Sequence, residues 1–259
     1  MILYFSCTGN TRWAAQEISR ATSERMLPIT GTSHDCHLWE MGENEAIGFC
    51  FPVHGWRPPV VVREFVRALS HMPEVPYCWM LCTAGDDIGE TVELFESDLV
   101  KATGRRLDAA FSLLMPESYV GLPFMDVDTP AAEARKLRQA RADLSEYIGM
   151  IGSRRHDRSH LHLSRWPKTN SRLLGGAFVR WLLTDKPFHV AEDLCVGCGQ
   201  CARACPTGNI RLEDGQPQWA HSGNCLSCFA CYHHCPAHAI AYGRRTRHKG
   251  QYYFGHRGE

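Results

Sequence analysis

The tightest constraint on this chain is the arrangement of cysteine between residues 195 and 235. There the sequence reads CVGCGQCARACP and, 30 positions later, CLSCFACYHHCP. The offset carries Cys195, Cys198, Cys201, Cys205 and Pro206 onto Cys225, Cys228, Cys231, Cys235 and Pro236, and it carries Ile210 onto Ile240. Three cysteines at intervals of three wrap one turn of chain around three corners of an iron-sulfur cubane. The fourth, followed by proline, swings away to reach the other cluster. By that rule Cys195, Cys198, Cys201 and Cys235 bind one [4Fe-4S] cluster, and Cys225, Cys228, Cys231 and Cys205 bind the second. A pair of zinc sites is the alternative, but such sites use two separated C-x-x-C pairs rather than triplets ending in C-P. Crossed ligation of this kind ties both halves into one pseudo-symmetric unit.

The other cysteines of the 13 are Cys7, Cys36, Cys50, Cys78 and Cys82. They are scattered through or beside apolar runs and read as small buried hydrophobes with inert thiols. An odd count in a chain of 259 residues with no export signal favours metal ligation over a disulfide framework. The opening MILYF is too short for a signal segment, and no stretch of about 20 apolar residues exists to span a bilayer. With 28 basic and 28 acidic residues, nothing in the overall charge points to nucleic acid or a membrane as partner. A soluble, cytoplasmic protein is expected.

Ahead of the cysteines, apolar runs alternate with helical patterns. MILYF, MLPI, AIGFCF (46–51), YCWMLC (77–82) and DAAFSLLM (108–115) read as five strands. Helices are expected after the first strand to about Glu24, in PVHGWRPPVVVREFVRAL after the loop 52–58, in TAGDDIGETVELFESDLVKATG after the loop 83–89, and over 130–149, the last with Pro130 at its start. Strands alternating with helices imply an α/β fold, a doubly wound parallel sheet covered on both faces. A ligand in such a sheet lies beyond the carboxyl ends of the strands, at the switch point. The loops 6–11, 52–58 and 83–89 are therefore the ones to inspect.

The first of these, in FSCTGNTRW (5–13), runs from strand through a hydroxyl-rich turn into a helix. A helix start offers unpaired N–H groups and a positive dipole end to an anion. Gly9 lets the backbone approach, while Ser6, Thr8 and Thr11 bring hydroxyls. No G-x-x-x-x-G-K-[ST] lysine follows, so a triphosphate with its magnesium is poorly served, and a phosphate monoester fits better. In the other loops Trp56 has the shape to stack on a flat ring. His54 has a ring N–H to donate, and Thr83, Ala84 and Gly85 are small enough to admit a ring edge. Asp86 and Asp87 put negative charge nearby.

YFSCTGNT resembles the FMN phosphate loop of flavodoxins. Joined to the two cysteine motifs, the chain resembles the fused flavodoxin-ferredoxin proteins of anaerobic microbes over nearly its full length. The resemblance implies a flavodoxin-like five-stranded domain over residues 1–150 and a small α+β two-cluster ferredoxin domain over 187–243. A basic, partly helical connection (151–186) lies between them, and a basic tail (244–259) follows. It also implies that Ser6, Cys7, Thr8, Gly9, Asn10 and Thr11 hold the FMN phosphate. Pro52, His54, Gly55 and Trp56, with Thr83, Ala84 and Gly85, would then flank the ring. MPESY (115–119) is similar to a family segment after the fifth strand, with Ser118 in place of an amide.

The connection carries eight Lys or Arg against two Asp or Glu. A polybasic run is ordinarily a solvated face; the functional alternative is a docking surface for an acidic redox partner. LLGGAFVRWLL (173–183) reads as a helix packing the two domains together. Low-potential electron transfer between two clusters and FMN, serving an external redox partner, is the leading expectation. A flavin-dependent reductase of a small molecule, with His54, Glu117 and Tyr119 as candidate proton donors, is the rival, and a redox sensor is a third.

Overall fold

A computed structural model describes residues 1–29, 42, 44–69 and 72–256; Cys36 and Arg257 lie outside them. Strands β1 (Ile2–Tyr4), β2 (Met26–Pro28), β3 (Ile47–Pro52), β4 (Cys78–Ala84) and β5 (Ala109–Leu114) pair in parallel in the order β2-β1-β3-β4-β5. That is the flavodoxin-like order, which reverses between β1 and β3. Helices α1 (Asn10–Thr22), α2 (Val60–Ala68), α3 (Thr91–Thr103) and α4 (Pro130–Gly152) cover the sheet.

Alternation along the strands builds two cores. Phe49, Phe51, Met80 and Cys82 face one way and meet Phe65 of α2 and Phe95 of α3. Their neighbours Cys50, Trp79 and Leu81 face the other way and meet Ile18 of α1 with Leu137 and Leu144 of α4. Both faces are apolar, which explains why the central strands read as continuous hydrophobic runs. β4 runs two residues past the expected YCWMLC, because Thr83 and Ala84 continue the ladder opposite Leu113 and Leu114.

The connection after α4 first lies along the free edge of β5. Ala110 N donates to Asp157 O at 2.9 Å and Ser112 N to His160 O at 3.0 Å, so this edge is covered. The expected helix then appears, but over residues 167–182 and irregular. α-Helical turns (Pro167–Thr169 and Gly175–Ala177) alternate with π-helical ones (Asn170–Leu174 and Phe178–Leu182). Gly175 and Gly176 sit where the two patterns meet. Among the described residues no helix is long and apolar enough to cross a membrane.

The cysteine region follows as a small α+β unit. β6 (Phe188–Val190) pairs antiparallel with β9 (Ile240–Tyr242), and β7 (Ile210–Glu213) forms a hairpin with β8 (Gln216–Trp219). Short helices Gln200–Ala204 and Ala230–His233 carry the third cysteine of each motif. Phe188, Phe229 and Tyr242 form its core, which also takes in Val120 from the loop after β5.

Candidate functional site: one cavity at the strand ends and two cysteine-lined cavities

At the carboxyl ends of β1, β3, β4 and β5 lies a cavity of about 270 Å³, near the lower end of small-molecule sites at roughly 300–1,000 Å³. Every residue expected to touch FMN except Gly9 lines it. Gly9 stands behind the loop with φ +97°, where an added Cβ would sit 3.0 Å from Phe254 Cβ. It caps α1, whose start has no side-chain cap and no acidic residue in its first turn. An acid-free helix start facing hydroxyls suits a phosphate.

The polar side chains of the loop are more committed than their sequence suggests. Ser6 Oγ accepts from Arg12 N at 3.2 Å, and the Thr11 and Thr83 hydroxyls share a 2.7 Å hydrogen bond. Asn10 is engaged within the chain at both ends of its amide, donating to Pro116 O at 3.2 Å and accepting from the Tyr252 hydroxyl at 2.6 Å.

Opposite the loop, Trp56 Nε1 donates to Asp87 Oδ2 at 2.9 Å, which fixes the indole. His54 opens onto the cavity yet sits deep in the fold, and burial lowers its pKa to about 4, so the ring is neutral near pH 7. Glu117 is the most unusual group on the wall. Burial raises its pKa, although its Oε1 accepts from the Ser118 and Tyr119 N–H groups at 2.9 Å each. Gly85 makes room for it: a Cβ there would lie 2.2 Å from Glu117 Oε2. Tyr119 stands edge-on to both Phe178 and Phe229 at 5.4 Å.

The eight motif cysteines gather into two further cavities. Cys195, Cys198, Cys201 and Cys235 line one, and Cys205, Cys225, Cys228 and Cys231 the other. These are the crossed quartets given by the spacing. The internal repeat persists in the hydrogen bonds: Asn209 N donates to Cys205 Sγ and Ala239 N to Cys235 Sγ, both at 3.2 Å. Among the described residues no three Cys, His, Asp or Glu side chains stand together as a site for a single metal ion. Sulfurs that ring a cavity suit a cluster whose metals sit at its corners.

The strand-end cavity and the second cysteine cavity share a wall, since Leu226 and Cys228 line both. Cys7 of the phosphate loop lines the strand-end cavity together with Cys228, its sulfur 3.9 Å from His54 Nε2, and the Cys228 sulfur beside it together with burial holds the Cys7 thiol well above its ordinary pKa. Sequence reasoning placed Cys7 by its loop and Cys228 by its motif; nothing in either motif says that they meet. Phe178, Leu122 and Met125 also line the cavity, and they carry no sequence signal beyond being apolar.

The tail binds the parts together. Phe254 N donates to Thr8 O at 2.8 Å, and Phe254 stacks on Trp13 at 5.1 Å. Lys249 Nζ donates to Val120 O, Leu122 O and Met125 O, and Arg245 to Gly121 O at 3.1 Å. His233 Nε2 donates to Ser118 O at 2.6 Å while its Nδ1 accepts from Tyr252 N at 3.1 Å. Lys249 and Arg245 of the basic tail are therefore bound to backbone carbonyls, while Arg244 and Arg247 stand exposed.

Residues 194–240 match the family model described as a 4Fe-4S dicluster domain. Over 71 residues the chain is 30% identical to a ferredoxin of Pyrobaculum islandicum, covering 26% of this chain and 66% of that protein. Over 30 residues it is 53% identical to an uncharacterised ferredoxin of Methanocaldococcus jannaschii, covering 12% of this chain and 18% of the relative. The chain thus spans less than two thirds of the length of these curated relatives. A flavodoxin of Streptococcus pneumoniae TIGR4 aligns with 56% of this chain and 97% of its own, at 14% identity and a TM-score of 0.35. The flavodoxin-like assignment rests on the strand order alone.

Proposed function

For a chain that joins a flavodoxin-like sheet to a 4Fe-4S ferredoxin domain, we propose electron transfer between FMN at the strand ends and two [4Fe-4S] clusters held by the crossed cysteine quartets. The observation that carries this reading is the shared wall: Cys228 lines both the strand-end cavity and the second cysteine cavity. When bound, FMN would take up one or two electrons and each cluster one, so the assembly would convert between paired and single electron traffic.

The residues divide the work by position. The start of α1 with Thr8 and Ser6 holds the phosphate, and Trp56, fixed by Asp87, offers a flat face for the ring. Cys205, Cys225, Cys228 and Cys231 hold the cluster nearer the flavin. Cys195, Cys198, Cys201 and Cys235 hold the outer one, where Cys198 is exposed and Val196 is 69% exposed. External exchange with a redox partner is favoured at that outer quartet. Anaerobically purified protein should contain about eight irons by the two-cluster rule and one FMN. Protein holding zinc and no flavin would overturn the reading.

One observation favours a second reading, a reductase of a small molecule. The carboxyl of Glu117 is buried on the cavity wall with its pKa raised, which suits a group that keeps or gives up a proton near the reacting centre. Reoxidation of reduced protein by a small molecule, with no second protein present, would select that reading.

A further inference from the structure

The outer face of the 167–182 helix differs from the remaining surface. Among the described residues nine large apolar side chains are well exposed, and five of these, Leu163, Trp166, Leu173, Leu174 and Trp181, belong to this one segment. Trp181 is 69% exposed and Trp166 63%. From Arg158 to Thr184 the sequence has no Asp or Glu. Arg165, Lys168 and Arg180 stand exposed along the same stretch. Arg165 lies over the Trp166 ring at 5.5 Å and Arg180 over the Trp181 ring at 5.8 Å. Arg172 is engaged elsewhere, in a two-point bond to Glu90 at 2.7 and 2.9 Å.

The inner face of the helix is already occupied. Ser171 Oγ donates to Trp56 O at 2.7 Å and accepts from Glu90 N at 2.7 Å, Gly175 packs against Gly55 O, and Phe178 lines the strand-end cavity. The outer residues are thus not a core waiting for another part of the described chain.

Three occupants can be weighed. A second copy would set this patch against itself, since a two-fold contact uses the same surface on both partners; with no Asp or Glu from Arg158 to Thr184 it has only like charge to offer, which costs free energy. A folded acidic protein would itself have to supply the pockets that seat Trp166 and Trp181, because residues 163–177 line none of the three cavities described. A layer of anionic headgroups needs no pocket. Tryptophan and leucine enter the boundary between headgroup and acyl chain, and cations beside them pair with phosphate.

We propose that this ridge is the face by which the protein lies on an anionic lipid bilayer. Trp166, Leu173, Leu174 and Trp181 enter the headgroup layer, and Arg165, Lys168 and Arg180 pair with lipid phosphates. Because Phe178 of the same helix walls the strand-end cavity, that cavity is held close to the bilayer. The inference stands independently of which cofactors the protein carries.

The test is flotation of the full chain, purified anaerobically, with vesicles of phosphatidylglycerol and separately of phosphatidylcholine. Flotation with the first and not the second is expected. The triple variant Arg165→Gln, Lys168→Gln, Arg180→Gln should lower partitioning about 100-fold, at roughly tenfold or less per cation near the surface. Trp166→Ala with Trp181→Ala should lower it at least about tenfold. All five positions are exposed, so circular dichroism and iron content should be unchanged, which separates lost docking from lost folding. No flotation, or equal flotation with both lipids, would overturn the proposal. So would a concentration-dependent dimer in sedimentation velocity that the tryptophan substitutions abolish, which would assign the ridge to self-association.

Discussion

The Tyr252 hydroxyl donates to Asn10 Oδ1 at 2.6 Å, joining residues 242 positions apart. Asn10 opens the helix behind the phosphate loop, and Tyr252 sits on a tail that has just crossed the ferredoxin unit. One hydrogen bond thus relates the helix start expected to hold an anion to the shell around the cysteines. Both groups are buried, so the Asn10 acceptor has no water to replace its partner.

Tyr252→Phe should destabilise the protein by about 1–3 kcal/mol, the range for leaving a buried acceptor unpaired. Chemical denaturation checks this. FMN affinity should fall in parallel, because the same amide orients the first turn of α1.

His233 predicts a pH dependence. Burial, the largest cause, lowers its pKa from 6.5 to about 4, and its two hydrogen bonds require a proton on Nε2 and none on Nδ1. The unfolded chain binds the proton near pH 6.5 and the folded chain only near 4. The stabilising effect is therefore complete above pH 6.5 and is lost as pH falls towards 4. His54, also lowered to about 4 by burial, acts in the same direction. Melting temperatures followed from pH 7 to 4 should decline, and the decline should be shallower in His233→Gln. A flat profile in the native chain would exclude this account.

Gly85→Ala places a Cβ against Glu117 Oε2 at 2.2 Å. Either the carboxylate swings into the cavity or β4 shifts outward. FMN binding should weaken at least about tenfold, with a stability cost of about 1–3 kcal/mol for overpacking. Flavin fluorescence titration and thermal melts read the two effects separately.

Cys228→Ser and Cys198→Ser should each lower iron from about eight to about four per chain under the two-cluster rule. Only the former touches the wall shared with the strand-end cavity. Single-turnover reduction of the flavin by a chemically reduced ferredoxin unit should be lost in Cys228→Ser and preserved, though differently fed, in Cys198→Ser. Equal effects from both would remove the shared wall as the route.

Much of this architecture was legible because certain constraints are local. Ligation by sulfur fixes the spacing Cys195, Cys198 and Cys201, and returning Cys235 to the first set follows from the proline after it. The alternation of strands and helices follows from apolar runs of strand length separated by helical periods, whereas the order of the strands is what the flavodoxin resemblance implies. The tail was not legible. Lys249 looks like solvated charge, and its three carbonyl partners at Val120, Leu122 and Met125 lie more than a hundred residues away with no repeating pattern to betray them. Phe188–Val190 escapes because it stands in no apolar run, unlike the equally short β1 and β2 within MILYF and MLPI. The π-helical turns escape because they depend on what Phe178 and Ser171 must reach, not on propensity.

Those wide turns have a consequence for the length of the chain. A π turn carries about one residue more than an α turn, so rewinding Asn170–Leu174 as ordinary α-helix with every residue kept would leave one residue over. Everything beyond would rotate by about 100°. Phe178 would then swing away from Gly55, and Leu182 O, which accepts from Ser227 Oγ at 2.7 Å, would lose its donor. The count of residues in this stretch, more than their identity, sets the gauge between the sheet and the cysteine motifs.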